Sequence, residues 1–168
     1  PVVSIDYGYL KEGYIQEVEG TGTGKPILVI NDRNSKWKAA HQVPRKGDDG
    51  YAVVVLLREL EKILGYKRII LRSDQENAIK GLKNAVKRLS RIDIIMEETP
   101  VGDSQSNGAV ENAVKTMGGM TRTYKTALEA RLGGEFPEEH PIMPWLIRQA
   151  MGNWSRYHMG KDGMTAHR

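Results

Sequence analysis

The chain alternates short runs of apolar, mostly β-branched residues with longer segments in which apolar positions recur at helical spacing. Five of the short runs predict β-strands, within residues 2–6, 27–30, 37–43, 67–71 and 92–96. No helical segment separates the first three runs, and a glycine-rich turn at residues 20–24 joins the first run to the second. The pattern therefore predicts that the first three strands are antiparallel.

Four longer segments predict amphipathic helices. The first begins after the N-cap candidates Asp48 and Asp49 and ends at Gly65. Its apolar positions follow the period of an α-helix, at Val53, Leu56, Leu57, Leu60 and Leu64. The other three cover residues 75–89, about 110–133 and 144–157. Because helices and strands alternate after the third strand, we expect an α/β domain with a mixed sheet of about five strands, the first three antiparallel and the rest parallel, flanked by helices.

The apolar faces of two of these helices contribute to the predicted core. In the second helix the residues on one face are Ile79, Leu82, Val86 and Leu89. In the last helix we expect Trp145 and Trp154 to lie in the core rather than to stack on nucleic-acid bases.

Composition narrows the class of protein. With 168 residues, 39% of them apolar, the chain is long enough for one domain with a substantial core. The 25 Lys and Arg exceed the 21 Asp and Glu, and an isoelectric point near 9.3 is compatible with a polyanionic partner. The absence of cysteine excludes disulfides and thiolate zinc sites. No apolar run approaches the roughly 18 residues of a membrane span, so we expect a soluble chain without a membrane partner.

Three acidic residues occupy settings that suggest a common site. Asp6 ends the first predicted strand, Asp74 follows the fourth, and Glu111 lies on the third helix. Ligands of α/β sheets gather at the carboxyl ends of strands, and three converging carboxylates require a cation to remain ionised. Mg²⁺ or Mn²⁺ would suit such oxygen ligands and would support in-line displacement at phosphorus. Taken singly, Asp74 could instead cap the following helix, and Glu111 could be a solvated helical residue.

The sequence around these acids resembles the catalytic core of retroviral and long-terminal-repeat retrotransposon integrases, the D,D-35-E group with the ribonuclease-H-like fold. The resemblance is carried by residues 3–6 (VSID), 71–76 (LRSDQE) and 99–111 (TPVGDSQSNGAVE). Asp74 and Glu111 are separated by one residue more than the name of the group specifies. The order of strands and helices agrees with that family from residue 1 to about residue 158.

The resemblance implies specific roles. Asp6, Asp74 and Glu111 would be the catalytic metal ligands. Four further residues would contact DNA: Gln105, Asn107, Lys115 and Arg122. Lys115 could instead form a surface salt bridge with Glu111.

The chain also departs from the family pattern. Gln75 and Glu76 stand where the family commonly has Asn-Gly, and Glu76 could bind metal, pair with Lys80 or have no role. A group of basic residues on the second helix, Lys83 among them, could contact phosphates or form a solvated face.

The function implied by the resemblance is that of an integrase core. It would be an Mg²⁺- or Mn²⁺-dependent polynucleotidyl transferase that processes donor DNA 3′ ends and joins them to target DNA. Its partners would be donor and target DNA and further copies of itself, as a dimer or higher oligomer, with no small-molecule substrate. We expect residues 1–158 to form the core and residues 159–168 to begin a linker to a missing C-terminal region of a longer polypeptide. In a eukaryote the expected location is the nucleus or a retroelement particle, and no targeting signal is evident within these residues.

Two alternatives remain open on the sequence. The first is an inactive or domesticated module that keeps the fold for DNA binding or oligomerisation. The second is a different ribonuclease-H-like nuclease, which hydrolyses RNA in hybrids. Such enzymes usually use a fourth carboxylate, and the sequence offers no convincing one, which leaves Asp103 and Glu76 as the candidates.

Overall fold

The structure is a computed structural model that describes residues 1–10, 24–100 and 104–167, with only the backbone described at residues 104–107. Residues 20–23 of the predicted glycine-rich turn and Asp103 lie outside the described part. The five predicted strands are all present, as β1 Val2–Gly8, β2 Ile27–Asp32, β3 Lys38–Gln42, β4 Arg68–Ser73 and β5 Asp93–Glu98. They form one sheet in the order β3-β2-β1-β4-β5. Pairing is antiparallel across β1, β2 and β3 and parallel across β1, β4 and β5, so the predicted mixed sheet is confirmed.

Within the described ranges, four α-helices flank the sheet: α1 Gly50–Arg58, α2 Asn77–Leu89, α3 Ser104–Leu132 and α4 Met143–Tyr157. The cap prediction for α1 is confirmed, because the Asp49 carboxylate accepts hydrogen bonds from the amides of Tyr51 at 3.0 Å and Ala52 at 3.2 Å. A π-helical segment, Glu59–Leu64, continues α1, and Gly65 ends it in the left-handed conformation at φ 66°.

The two faces of the sheet support separate halves of the core. On one face, Val3, Ile5 and Tyr7 of β1 belong to a cluster with buried residues of α1 and α2. On the other face, residues of β2 and β3 pack against α3 and α4 through Ile27, Val29, Ala40, Ala113, Met117, Ile147 and Met151. Because side chains alternate along a strand, Ser4, Asp6 and Gly8 of β1 point toward α3.

Gly8 allows α3 to lie directly against the end of β1. A Cβ atom at this position would be 2.9 Å from Val114 Cγ1 and 3.1 Å from the Met117 methyl group. The absence of a side chain therefore sets how closely the helix that carries Glu111 approaches the strand that carries Asp6.

The free edge of β3 is covered by α4. The Ser155 hydroxyl accepts a hydrogen bond from the Lys38 amide and donates one to the Lys38 carbonyl, both at 2.8 Å. One buried side chain thus satisfies two backbone groups that face away from β2.

Three predictions for the core need correction. Trp145 is 57% exposed, because Leu146 and Ile147 occupy the positions of α4 that face the sheet. Leu89 is 58% exposed, since it is the last residue of α2 and lies beyond the packed part of that helix. Trp154 is half-buried, and its ring stacks on the His158 ring at 3.8 Å. None of the helices within the described ranges is long and apolar enough to cross a membrane.

Candidate metal and nucleic-acid site

Asp6 and Asp74 lie near the carboxyl ends of two adjacent parallel strands. β1 continues two residues beyond the predicted end, to Gly8, so Asp6 lies within the strand, whereas Asp74 directly follows β4. Ser4 of β1 is paired with Arg72 of β4, so the same register continued by two residues sets Asp6 opposite Asp74. Neighbouring strands lie about 5 Å apart, which is within the reach of two carboxylates that share a cation. The structure therefore brings together the two strand-borne acids that the sequence predicts.

The Asp6 carboxyl lies in an environment that disfavours its charge. Burial raises its pKa to about 6 from an ordinary value of 3.8, and the negative charges of Asp74 and Glu76 act in the same direction. A hydrogen bond of 2.7 Å from the Tyr7 amide and the positive charge of Lys46 oppose this shift. An added cation would relieve this penalty, so the donor chemistry of Asp6 and Asp74 fits a divalent ion that prefers oxygen ligands.

Asp74 is held by a turn between β4 and α2. Its Oδ1 accepts a hydrogen bond of 3.1 Å from the Glu76 amide, and its carbonyl accepts one of 2.9 Å from the Ser73 hydroxyl. The helix itself begins at Asn77, with Glu76 in the cap position. Asp74 thus braces the turn that precedes the helix and does not cap the first helical turn.

Glu111 is exposed on α3, one helical turn before Val114, the residue that contacts Gly8. It lies close in sequence to the buried residues Val110 and Ala113 that anchor α3 on the sheet. Among the described residues, no group of three or more His, Cys, Asp or Glu side chains is close enough to hold a metal ion. The structure thus places Glu111 on the helix that packs against β1 without bringing its carboxylate to the pair formed by Asp6 and Asp74.

Glu76 forms an ion pair with Lys46. The Lys46 ammonium lies 2.9 and 3.1 Å from the two Glu76 carboxylate oxygens, and 5.3 and 5.6 Å from the ring centroids of Tyr7 and Tyr9. Burial lowers the pKa of Lys46, but the contact with Glu76 outweighs that effect and raises it overall. The predicted partner Lys80 instead pairs with Glu98 at 3.1 Å, so that alternative for Glu76 is wrong.

Lys46 is the charged residue at this site that sequence reasoning missed. Because β1 and β3 are both antiparallel to β2, they run in the same direction, and their carboxyl ends lie at the same end of the sheet. The loop after β3 therefore reaches Asp6, and the Gly47 amide donates a hydrogen bond of 3.0 Å to the Tyr7 hydroxyl. The predicted antiparallel order of the first three strands contained this signal, since it places residues 43–49 beside the end of the first strand.

The predicted DNA contacts all lie on α3. Lys115 and Arg122 are exposed, and Lys115 shares a helix face with Glu111, four residues earlier. Although both side chains are described, no ion pair joins Lys115 to Glu111. Gln105 and Asn107 belong to the first turns of α3, and their side chains are outside the described part.

Structural comparison identifies the fold. The chain is similar to the catalytic core domain of BIV integrase, with a TM-score of 0.60 and 19% identity over 99% of this chain and 90% of that one. It is also similar to a simian T-cell lymphotropic virus intasome solved in complex with the PP2A regulatory subunit B56 gamma, with a TM-score of 0.65 and 15% identity. That match covers 98% of this chain and 52% of the intasome chain, so this chain spans about half of its length.

Two comparisons at the level of sequence found no match. No protein-family model and no curated protein matches the chain. The resemblance to integrases is thus confirmed by structure, at the level of the fold. The chain has the ribonuclease-H-like fold of retroviral integrase catalytic cores.

Proposed function

We propose that the chain is the catalytic core of an integrase, a polynucleotidyl transferase that processes donor DNA 3′ ends and joins them to target DNA. The observation that carries this proposal is the placement of Asp6, near the carboxyl end of β1, beside Asp74, directly after the adjacent parallel strand β4, in a fold shared with integrase cores. The raised pKa of Asp6 supports it, because a carboxyl whose ionisation is disfavoured gains most from a nearby cation.

Asp6, Asp74 and Glu111 would hold the metal, and the first two are already adjacent. Bound Mg²⁺ or Mn²⁺ would supply Lewis-acid activation of the attacking oxygen and stabilisation of the leaving oxygen. For Glu111 to take part, the start of α3 must bring its carboxylate toward β1. Glu111 lies one helical turn before Val114, which packs beside Gly8 at the end of β1, so the approach required of it starts from a helix already held against that strand.

The exposed cations of α3 would bind the DNA. Lys115 and Arg122 are exposed and would meet phosphate oxygens, and Gln105 and Asn107 would lie near the donor end at the start of the same helix. Donor and target DNA would thus cross the end of the sheet where the acids lie. A homo-oligomer, acting in the nucleus or in a retroelement particle, completes the proposal, with residues 1–158 as the core.

The decisive experiment is Mn²⁺-dependent cleavage and joining of a labelled donor duplex by wild type and Asp74→Asn. Loss of an outer-shell partner of a metal site typically costs 10- to 100-fold, so loss of a direct ligand should lower the rate by about 100-fold or more. Asp93→Asn is the matched control, because Asp93 is exposed on β5 and its ion pair is with Arg68, on the strand next to it. Wild-type activity in Asp74→Asn would remove the proposed role.

The two alternatives give different results in the same assays. An inactive module would neither cleave DNA nor gain thermal stability from Mn²⁺. A nuclease specific for RNA in hybrids would cleave a hybrid and leave the DNA duplex intact. The ion pair with Lys46 disfavours that reading, because it occupies Glu76, one of the two candidates for a fourth carboxylate.

A further inference from the structure

Lys83 is a buried lysine whose position needs a reason. It lies on α2, its residue is 1% exposed, and it ranks among the largest fully buried side chains of the described chain. An ammonium group is strongly hydrated, so its burial is unfavourable unless hydrogen bonds replace the lost water. Its sequence context groups it with the exposed basic residues of the same helix, and the prediction of a phosphate contact or a solvated face is wrong for this residue.

The contacts of Lys83 lead to the turn that carries Asp74. Its ammonium donates hydrogen bonds to the Ser73 hydroxyl at 3.1 Å and to the Glu97 carbonyl at 2.6 Å. The Ser73 hydroxyl in turn donates to the Asp74 carbonyl at 2.9 Å. Ser73 is itself buried, and its carbonyl accepts a hydrogen bond of 2.9 Å from the Thr99 amide. Lys83 thus ties the ends of β4 and β5 together, one hydroxyl away from Asp74.

The charges around Lys83 are consistent with this arrangement. Burial lowers the pKa of Lys83 and the positive charge of Lys80 acts in the same direction, whereas the negative charges of Glu98, Glu97 and Asp74 raise it. The lysine therefore lies on the buried side of a group of acids at the end of the sheet. A cation there offsets part of the repulsion that accumulates when Asp74 is ionised.

Filling space does not account for the choice of lysine. An unbranched apolar side chain of similar length, such as methionine, would fill the same volume without the cost of desolvating a charge. The hydrogen bonds of Lys83 converge on two backbone segments, and one of them carries a proposed metal ligand. We therefore look for the effect of the charged group in the conformation of the turn that carries Asp74.

We propose that Lys83 is a positioning residue for Asp74: through the Ser73 hydroxyl it fixes the turn from which the Asp74 carboxylate reaches the metal. The metal part of this inference rests on the proposed function, whereas the fixing of the turn does not. Lys83 touches neither the metal nor the DNA, and its effect passes through the hydroxyl and the backbone of the turn.

The test is Lys83→Met, examined by amide hydrogen exchange and by Mn²⁺ titration. The Glu76 amide reports on the turn, because it donates to Asp74 Oδ1. We expect the variant to fold with lower thermal stability, because the Glu97 carbonyl loses its donor, and the Glu76 amide to exchange about tenfold faster. Mn²⁺ affinity should fall by about 10- to 100-fold, as it does when outer-shell partners of other metal sites are removed. Lys87→Met, an exposed change on the same helix, should alter neither quantity.

Ser73→Ala separates this route from a general effect of charge. The variant keeps the lysine and removes only the hydroxyl between it and Asp74, so it should reproduce the faster exchange at Glu76. The double variant, with both Lys83→Met and Ser73→Ala, should then show the same exchange rate at Glu76 as either single variant, because both substitutions break the same series of hydrogen bonds from Lys83 through Ser73 to Asp74.

Unchanged exchange at Glu76 in Lys83→Met would overturn the proposal. Should that variant fail to fold, unchanged exchange in Ser73→Ala would overturn it equally. If instead Mn²⁺ binds wild type and Asp74→Asn alike, the proposed function fails. The exchange rates would still decide whether Lys83 fixes the turn.

Discussion

Replacing Asp6 with asparagine should make the folded chain more stable at neutral pH, although it removes a proposed metal ligand. The folded-state pKa of Asp6 is raised to about 6, whereas the unfolded chain has the ordinary value of 3.8. Below the lower value the carboxyl is protonated in both states, and it then adds no pH dependence. As the pH rises from there to about 6, the unfolded state loses the proton first, so the folded state becomes progressively less stable.

The magnitude follows from the shift. A difference of about two pKa units corresponds to about 3 kcal/mol of destabilisation, fully present above pH 6. Asparagine has the shape of the protonated acid and can still accept the hydrogen bond from the Tyr7 amide. We therefore expect Asp6→Asn to exceed wild type by about 2–3 kcal/mol at pH 8, and the difference to shrink toward zero as the pH falls to about 4.

The assay is urea unfolding in EDTA at several pH values between about 4 and 8. Asp93→Asn serves as the control, because it removes an exposed carboxylate with the same change in net charge. Addition of Mn²⁺ should stabilise wild type and have little effect on Asp6→Asn. If Asp6→Asn is more stable than wild type by the same amount at every pH, or is less stable than wild type at pH 8, the argument that burial opposes the ionisation of Asp6 is refuted.

Two further predictions concern the packing around the site, and urea unfolding checks both. Gly8→Ala should destabilise the chain by about 1–3 kcal/mol, because the new methyl group would be 2.9 Å from Val114 Cγ1. If the variant is as stable as wild type, α3 moves away from β1 without cost. Ser155→Ala should lower the free energy of unfolding by about 1–3 kcal/mol, because the amide and carbonyl of Lys38 each lose a hydrogen bond. A decrease below about 0.5 kcal/mol would mean that water replaces the hydroxyl.

The fold was predictable because it depends on local patterns. Each strand is a short β-branched run, and the order of strands and helices restricts the sheet to a few topologies. The cap Asp49 and the stop Gly65 were also predictable, because both act within a few residues of their own positions. The π-helical segment Glu59–Leu64 was not, since a single wider turn leaves the spacing of apolar residues almost unchanged.

The candidate site was predictable only as far as strand ends determine it. Asp6 and Asp74 follow from the rule for carboxyl ends of parallel strands. Lys46 and Glu76 lie on two loops that are distant in sequence. The sequence alone does not show whether Glu76 pairs with Lys46 or with the nearer Lys80. The burial of Lys83 was not predictable, because the pattern of a helix does not distinguish a lysine packed against the ends of β4 and β5 from one in solvent. The same limit explains the exposure of Trp145.

The contact between Ser155 and Lys38 also bears on how the sheet can grow. An uncovered edge strand can template pairing with another chain, which leads to strand exchange or aggregation. α4 blocks such growth beside β3 at Lys38. At β5, the opposite edge, Ile95 and Met96 are 48% and 39% exposed. Among the described strands, β5 is therefore the edge at which a foreign strand would be added while α4 stays docked, and release of α4 would open a second one.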